Sequence, residues 1–105
     1  MSEHPLYAGW FPGAQIERDA DWLPYADLGS GISVAILFSR GAPASLLLRH
    51  ERPSAEPCEG AVNLDPGRGP AWTIERDGPL TLSPSIVCTV CGVHGWIREG
   101  RWVSA

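Results

Sequence analysis

The sequence predicts a small, mainly β domain, either β-rich or α+β, built from short antiparallel strands and hairpins with a zinc-knuckle-like unit near its C-terminus. Twelve glycines and ten prolines among 105 residues, without any repeat, indicate many turns and therefore many short elements. The run from Ile32 to Ser39 alternates apolar residues with small or mixed ones, as half-buried strands do. A hydrophobic content of 44% against 19% charged residues is typical of a globular domain, here one that can hold a single modest core.

The first 30 residues are predicted to form an irregular segment packed on a single β-rich domain of residues 31–105. Within that segment one short helix is expected over residues 14–22, because apolar residues fall on one face and Pro24 ends the run. A loop over residues 53–57 is expected to lead to Cys58. After the strand at 32–39, turn residues separate further expected strands at 45–51, 61–64, 71–75 and 80–87, the last of which is interrupted at Pro84.

The C-terminal residues predict a hairpin. Two expected strands, 93–98 and 101–103, flank the dipeptide Glu99-Gly100, and a two-residue loop ending in glycine is typical of a tight turn. This register places Ile97 opposite Trp102 and Trp96 opposite Val103. Such aromatic–aliphatic pairs contribute roughly 0.2–1 kcal/mol each.

The strongest chemical signal is the run Cys88-Thr89-Val90-Cys91-Gly92-Val93-His94. A Cys-x-x-Cys-Gly turn points two sulfurs at one ion, and glycine tolerates the positive φ that turns backbone N–H groups toward the thiolates. His94 follows Cys91 by three positions and can reach the same ion. Structural zinc takes four protein ligands, so we predict a closed Zn²⁺ site of Cys58, Cys88, Cys91 and His94, with His50 as the alternative remote ligand.

Other interpretations of these residues stay open. The cysteines can be small buried apolar residues, or Cys88 and Cys91 can form a disulfide. A redox-active Cys-x-x-Cys normally begins a helix after a strand, whereas a glycine and a β-like run follow here. A catalytic zinc would need an open position and a nearby acid or base; Glu51, Glu59 and Glu99 are the candidates by proximity in the chain, and no His-Glu-x-x-His pattern supports them.

Two serines on either side of Pro84 form a second candidate site. Ser83 or Ser85 can act as a nucleophile if its hydroxyl lies within about 3 Å of a base, for which His94 is the candidate. The alternative is a proline-bent strand whose hydroxyls bond to local backbone groups. A zinc-bound imidazole cannot also serve as a general base, so His94 can take only one of the two roles.

Charge and hydropathy argue against several classes of function. Eight basic residues against twelve acidic ones give a net charge of −4, so the chain lacks the positive charge that neutralises nucleic-acid phosphates, and nucleic acid is not an expected partner. No apolar run approaches the ~18 residues of a membrane span. The first residues lack the basic and apolar regions of a signal peptide, so a cytoplasmic location is expected.

The C-terminal part of the chain also resembles a known family. The residues that carry the resemblance are Ser83-Pro84-Ser85-Ile86 and the run from Cys88 to Trp102, with His50 and Cys58 upstream, and together they span about residues 46–105. They resemble a family of small zinc-binding-like proteins from actinobacteria and their tailed phages. This family is related to a wider bacterial domain of unknown function with a Ser-Pro-Ser-Ile motif and a later Cys-x-x-His. A cysteine cluster of the wider group is reduced here to Cys58, whereas Cys88 is added.

The resemblance implies two possible functions. Some members of the wider group lie beside ubiquitin-like conjugation genes and have been suggested to be peptidases, which implies Ser83 or Ser85 as the nucleophile. This chain keeps four candidate metal ligands, which favours a structural metal. We therefore expect a zinc-stabilised accessory protein of phage or actinobacterial origin, in the host cytoplasm if phage-encoded, that binds a protein partner and catalyses no reaction. The alternative is a small peptidase or hydrolase linked to ubiquitin-like protein processing.

Overall fold

The structure, a computed structural model, describes residues 4–52 and 56–105. Short antiparallel strands dominate these residues, which confirms the predicted mainly β class. Residues 53–55 of the loop predicted before Cys58 lie outside the described part. The helix and strands are α1 (Pro5–Trp10), β1 (Ile16–Arg18), β2 (Pro24–Gly29), β3 (Ile32–Ser39), β4 (Ala42–His50), β5 (Cys58–Asn63), β6 (Thr73–Asp77), β7 (Leu80–Ser83), β8 (Ile86–Val87), β9 (His94–Arg98) and β10 (Arg101–Ser104), with a 3-10 turn at Pro66–Arg68.

Five consecutive strands form the larger sheet, in the order β1-β2-β3-β4-β5. The predicted strand β3 has the predicted bounds, whereas β4 begins at Ala42, three residues before the expected start. Arg40 and Gly41 connect these two strands, and both have positive φ, as a two-residue turn that matches the twist of a hairpin requires. Strand β5 lies at one edge of this sheet, and among the described strands it pairs only with β4.

The C-terminal strands form a second sheet in the order β10-β9-β8, and β6 pairs with β7. The predicted hairpin register is confirmed, because Ile97 lies opposite Trp102 and Trp96 opposite Val103. The sheet also contains a pairing that the sequence did not predict: β8 runs antiparallel to β9, with Val87 opposite His94.

The N-terminal segment differs from its prediction. The helix expected over residues 14–22 does not form; β1 occupies part of this region and pairs with β2. The side-chain Oδ1 of Asp19 accepts hydrogen bonds from the backbone N–H groups of Asp21 and Leu23. Such local side-chain bonds stabilise a turn in competition with a helix. A helix forms earlier instead, at Pro5–Trp10, where proline occupies the first turn, a position it favours.

Helix α1 closes one side of the core. Its Tyr7 and Trp10 are buried together with Phe11, against apolar residues from the sheets such as Ile36. The hydroxyl of Tyr7 accepts a hydrogen bond from the backbone N–H of Ile36 at 2.8 Å and donates one to the carbonyl of Pro24 at 2.9 Å. The N-terminal segment is thus tied to both β2 and β3. In the described part of the chain, no helix is long and apolar enough to cross a membrane.

Candidate active site and metal centre

The pairing of β4 with β5 brings together two of the predicted metal ligands. His50 ends β4 and Cys58 begins β5, and the two residues lie directly opposite each other in the register. Opposite residues of an antiparallel pair project their side chains from the same face of the sheet. His50 is half-buried and Cys58 is buried, so both side chains lie at the margin of the core.

The turn from Cys88 to Val93 carries the other two cysteines, Cys88 and Cys91. The backbone N–H of Gly92 donates to the carbonyl of Cys88 at 2.8 Å, and the N–H of Cys88 donates to the carbonyl of Val93 at 2.8 Å. Gly92 has a φ of 78°, a left-handed conformation that glycine adopts without strain. The tight turn therefore forms as the Cys-x-x-Cys-Gly pattern predicts.

The three sulfurs converge. The Sγ atoms of Cys58, Cys88 and Cys91 lie within 4.8 Å of one another and could hold a metal ion. All three are free thiols, so the described residues contain no Cys88–Cys91 disulfide. The Nδ1 atom of His50 lies 3.4 Å from the Sγ of Cys91 and provides a fourth donor at the edge of this group. We call Cys58, Cys88, Cys91 and His50 the thiol cluster.

The environments of two thiols shift their acidity in opposite directions. Burial raises the pKa of Cys58 to about 11, and side-chain hydrogen bonds with Cys91 and Cys88 add to this. Hydrogen bonds from the backbone of Cys91 and then of Val90 lower the pKa of Cys88 to about 7. The turn thus favours the thiolate form of Cys88, which is the form that binds metals.

A second constellation lies on the neighbouring strands. The Nε2 atom of His94 lies 2.9 Å from the Oγ of Ser85, within hydrogen-bond distance. Ser85 precedes β8 and His94 begins β9, so the pairing of these strands creates the contact. Ser85 is half-buried and His94 is exposed, with its ring centroid 5.8 Å from that of Trp96. The indole Nε1 of Trp72 donates to the backbone carbonyl of Ser85 at 3.4 Å.

The structure places the two histidines considered as metal ligands in different surroundings. His94 does not belong to the three-thiol group, and its imidazole contacts Ser85 instead. His50, the alternative remote ligand, lies beside Cys91. Ser83 ends β7 opposite Thr73, and within the described residues no hydrogen bond joins it to a histidine.

Of the three acidic residues considered for a catalytic metal, Glu59 follows Cys58 in β5 and the other two lie near arginines. Glu51 is within 3.4 Å of the Arg49 guanidinium, and Glu99 is 3.8 Å from that of Arg76. In the described residues, no carboxylate joins the group of three thiols. The donor set of the thiol cluster is thus sulfur and imidazole nitrogen.

Sequence reasoning did not identify the pairing of β8 with β9. A signal for it exists: Ile86-Val87 and the run from His94 are both extended, and the turn at Gly92 lies between them. Adding residues 86–87 to the expected hairpin as a third strand would have placed Ser85 close to His94.

A protein-family model matches the C-terminal half of the chain. The model of a family described as the bacterial ubiquitination-like system serine protease (BubE) matches residues 52–105, just over half of the chain. Neither the curated proteins nor the solved structures contain a match. The matched segment contains Ser85, His94 and all three cysteines. On the extent of this match, the protein belongs to the BubE family of bacterial ubiquitination-like system serine proteases.

Proposed function

We propose that this protein is a serine peptidase in which Ser85 is the nucleophile and His94 is the general base. The observation that carries the proposal is the 2.9 Å separation of Ser85 Oγ and His94 Nε2. Nucleophile and base within hydrogen-bond reach are the geometric signature of covalent catalysis by serine. The family match supports a peptidase, the alternative interpretation of the sequence, better than it supports an accessory binding protein.

The chemistry follows from the tautomer that places the ring proton on Nδ1. The hydroxyl of Ser85 then donates to Nε2, which takes the proton as Oγ attacks the carbonyl carbon of the peptide bond. His94 returns this proton to the leaving amine when the C–N bond breaks, which leaves an acyl group on Ser85. A water molecule, deprotonated by His94, then attacks the ester, releases the carboxylic acid and restores the serine hydroxyl.

His94 works in this proposal without an acidic partner from the described residues. No contact there joins its ring to a carboxylate; its described neighbours are Ser85 and Trp96. The ring is held instead by the β8–β9 pairing and by the tilted contact with Trp96. Among the residues that the structure describes, the proposed site is therefore a dyad of Ser85 and His94.

We further propose that the thiol cluster binds Zn²⁺ as a structural ion. Three thiolates and one imidazole are a standard closed donor set for zinc. Sulfurs at about 2.3 Å from a tetrahedral ion lie about 3.8 Å apart. This separation is compatible with the three Sγ atoms here, which all lie within 4.8 Å of one another. A bound ion would join the β4–β5 pair to the turn that connects β8 with β9, and so support the backbone that carries Ser85 and His94.

The family name points to protein substrates or partners in a ubiquitin-like system, and we propose that the peptide bond cleaved here belongs to such a protein. A net charge of −4 remains unfavourable for nucleic acid.

The decisive experiment is labelling with a fluorophosphonate, a small reagent that forms a covalent bond to activated serines. We expect one adduct on Ser85, mapped by mass spectrometry of the intact protein and its peptides. Ser85→Ala should abolish the adduct, and His94→Gln should slow it by about a hundredfold or more, since general-base catalysis contributes 10²–10⁴-fold.

Ser83→Ala is the matched control, since Ser83 is the other serine of the motif and lies outside hydrogen-bond contact with His94 among the described residues. It should label like the unmodified protein. Labelling of Ser83, or labelling of Ser85 that is unchanged by His94→Gln, would contradict the proposed dyad.

A further inference from the structure

A cavity of about 160 Å³ is lined by residues of the edge strand β5 and of the strand β8. Much of its lining is apolar. The sheet contributes Leu48 and Val62, and Trp72, Ile86 and Val87 contribute from the other side. Glu59 and three members of the thiol cluster also line it, so the cavity adjoins the candidate metal centre. A cavity of about 150 Å³ with apolar walls is large enough to take a benzene-sized group. The space therefore fits one large aliphatic or aromatic side chain.

Gly60 keeps part of this space open. It lies inside β5, lines the cavity and is exposed, and no atom lies within 4 Å of the position that a Cβ would occupy. Its φ is outside the left-handed region, so the backbone does not require glycine. Glycine weakens a strand interior and often marks a place where a ligand approaches the backbone closely. Gly60 thus leaves this part of the cavity free of a side chain.

Ser85 and His94 do not themselves line the cavity, but two residues that line it are neighbours of the candidate dyad. Val87 lines it and lies opposite His94 in the β8–β9 register. Trp72 lines it as well and donates its Nε1 hydrogen bond to the carbonyl of Ser85. A peptide whose carbonyl carbon is attacked by Ser85 would therefore have a neighbouring side chain within reach of the cavity.

We propose that this cavity is the specificity pocket of the enzyme. It takes one large apolar side chain from a substrate residue that flanks the cleaved bond, and Gly60 is the residue that keeps it open. The inference rests on the proposed peptidase function, whose substrate preference it specifies. An acidic side chain is disfavoured, because its carboxylate would lose hydration in the apolar part of the cavity and Glu59, which also lines the cavity, carries the same charge.

The test compares Gly60→Leu, which fills the cavity, with Gly9→Leu, which makes the same change at an exposed glycine of α1 that also has no neighbour within 4 Å. The substrates are fluorogenic peptides that differ in a single residue, Leu, Phe, Ala or Asp, placed in turn on each side of the cleaved bond. We expect kcat/KM for Leu or Phe, on one side, to exceed that for Asp by about tenfold to a hundredfold. Gly60→Leu should remove this preference, and Gly9→Leu should keep it.

A second measurement does not depend on catalysis. N-acetyl-phenylalanine amide and N-acetyl-aspartate amide are titrated into the Ser85→Ala protein, and backbone amide shifts are followed by NMR. We expect the phenylalanine compound alone to shift signals of Val62, Trp72 and Ile86. The added change Gly60→Leu should abolish these shifts; if that protein does not fold, the smaller Gly60→Ala should reduce them.

The outcomes distinguish the pocket from the peptidase. Failure of Ser85 to react with fluorophosphonate, together with binding of the phenylalanine amide, would overturn the peptidase and retain an apolar side-chain pocket. Equal cleavage of all peptides, or equal phenylalanine-amide binding with Gly60 and with its leucine variant, would overturn the pocket whether or not the enzyme is active.

Discussion

Exchanging one histidine at a time should separate the metal site from the catalytic site. His50 Nδ1 lies 3.4 Å from Cys91 Sγ, whereas His94 Nε2 lies 2.9 Å from Ser85 Oγ. Glutamine at either position keeps much of the side-chain volume but removes the imidazole. We therefore expect His50→Gln to weaken zinc binding and His94→Gln to leave it unchanged.

The size of the effect follows from the number of ligands. Structural zinc sites bind with apparent free energies of about 10–16 kcal/mol, so one ligand of four contributes roughly 2.5–4 kcal/mol. A loss of about 3 kcal/mol corresponds to an affinity on the order of a hundredfold weaker. Mutating a residue that only orients a metal ligand typically lowers metal affinity by about 10–100-fold. If His50→Gln lowers zinc affinity by less than about tenfold, His50 therefore does not bind the ion.

The assay is competition for Zn²⁺ between each purified variant and a chromophoric chelator at fixed pH. Fluorophosphonate labelling of the same samples gives the opposite pattern, since His94→Gln should impair labelling while His50→Gln, kept at saturating zinc, should not. Weakened zinc affinity in His94→Gln, with unchanged affinity in His50→Gln, would refute the assignment and restore His94 as the fourth ligand.

Two further predictions concern close packing and thiol acidity. A Cβ added at Gly95 would lie 2.6 Å from the indole of Trp102, so Gly95→Ala should lower the free energy of unfolding by about 1–3 kcal/mol in urea titrations. Gly9→Ala, at an open site, should not lower it, and equal stability of the two variants would contradict this packing. In metal-free protein, the rate at which iodoacetamide modifies Cys88 should rise with a midpoint near pH 7, because the thiolate forms above the lowered pKa of Cys88. Cys58, whose pKa is raised to about 11, stays a thiol in this range and reacts slowly. Peptide mass mapping across pH 5–9 measures both, and faster modification of Cys58 would disprove the predicted order.

The elements that the sequence predicted well are those whose pattern is local. The alternation from Ile32 to Ser39 has a period of two, so it identifies a strand without any knowledge of its partners. The turn at Glu99-Gly100 determines its own hairpin register, since the loop length aligns the flanking strands. The Cys88–Cys91 turn likewise forms through bonds within six residues.

The N-terminal prediction was wrong for a local reason as well. Apolar residues spaced as in a helix lie in residues 14–22, but Asp19 bonds to the backbone of its neighbours and stabilises a turn. Strand β1 then gains its hydrogen bonds from β2, which pattern analysis of one segment does not consider.

Composition and spacing alone established a small β domain, a pair of cysteines able to share an ion, and two serines near a histidine. Only the tertiary structure shows which histidine lies beside the thiols and which beside a serine, because these positions depend on strand register: β4 with β5 places His50 opposite Cys58, and β8 with β9 brings Ser85 to His94. Register between strands is a long-range property, and a shift by one residue would turn each of these side chains to the opposite face of its sheet.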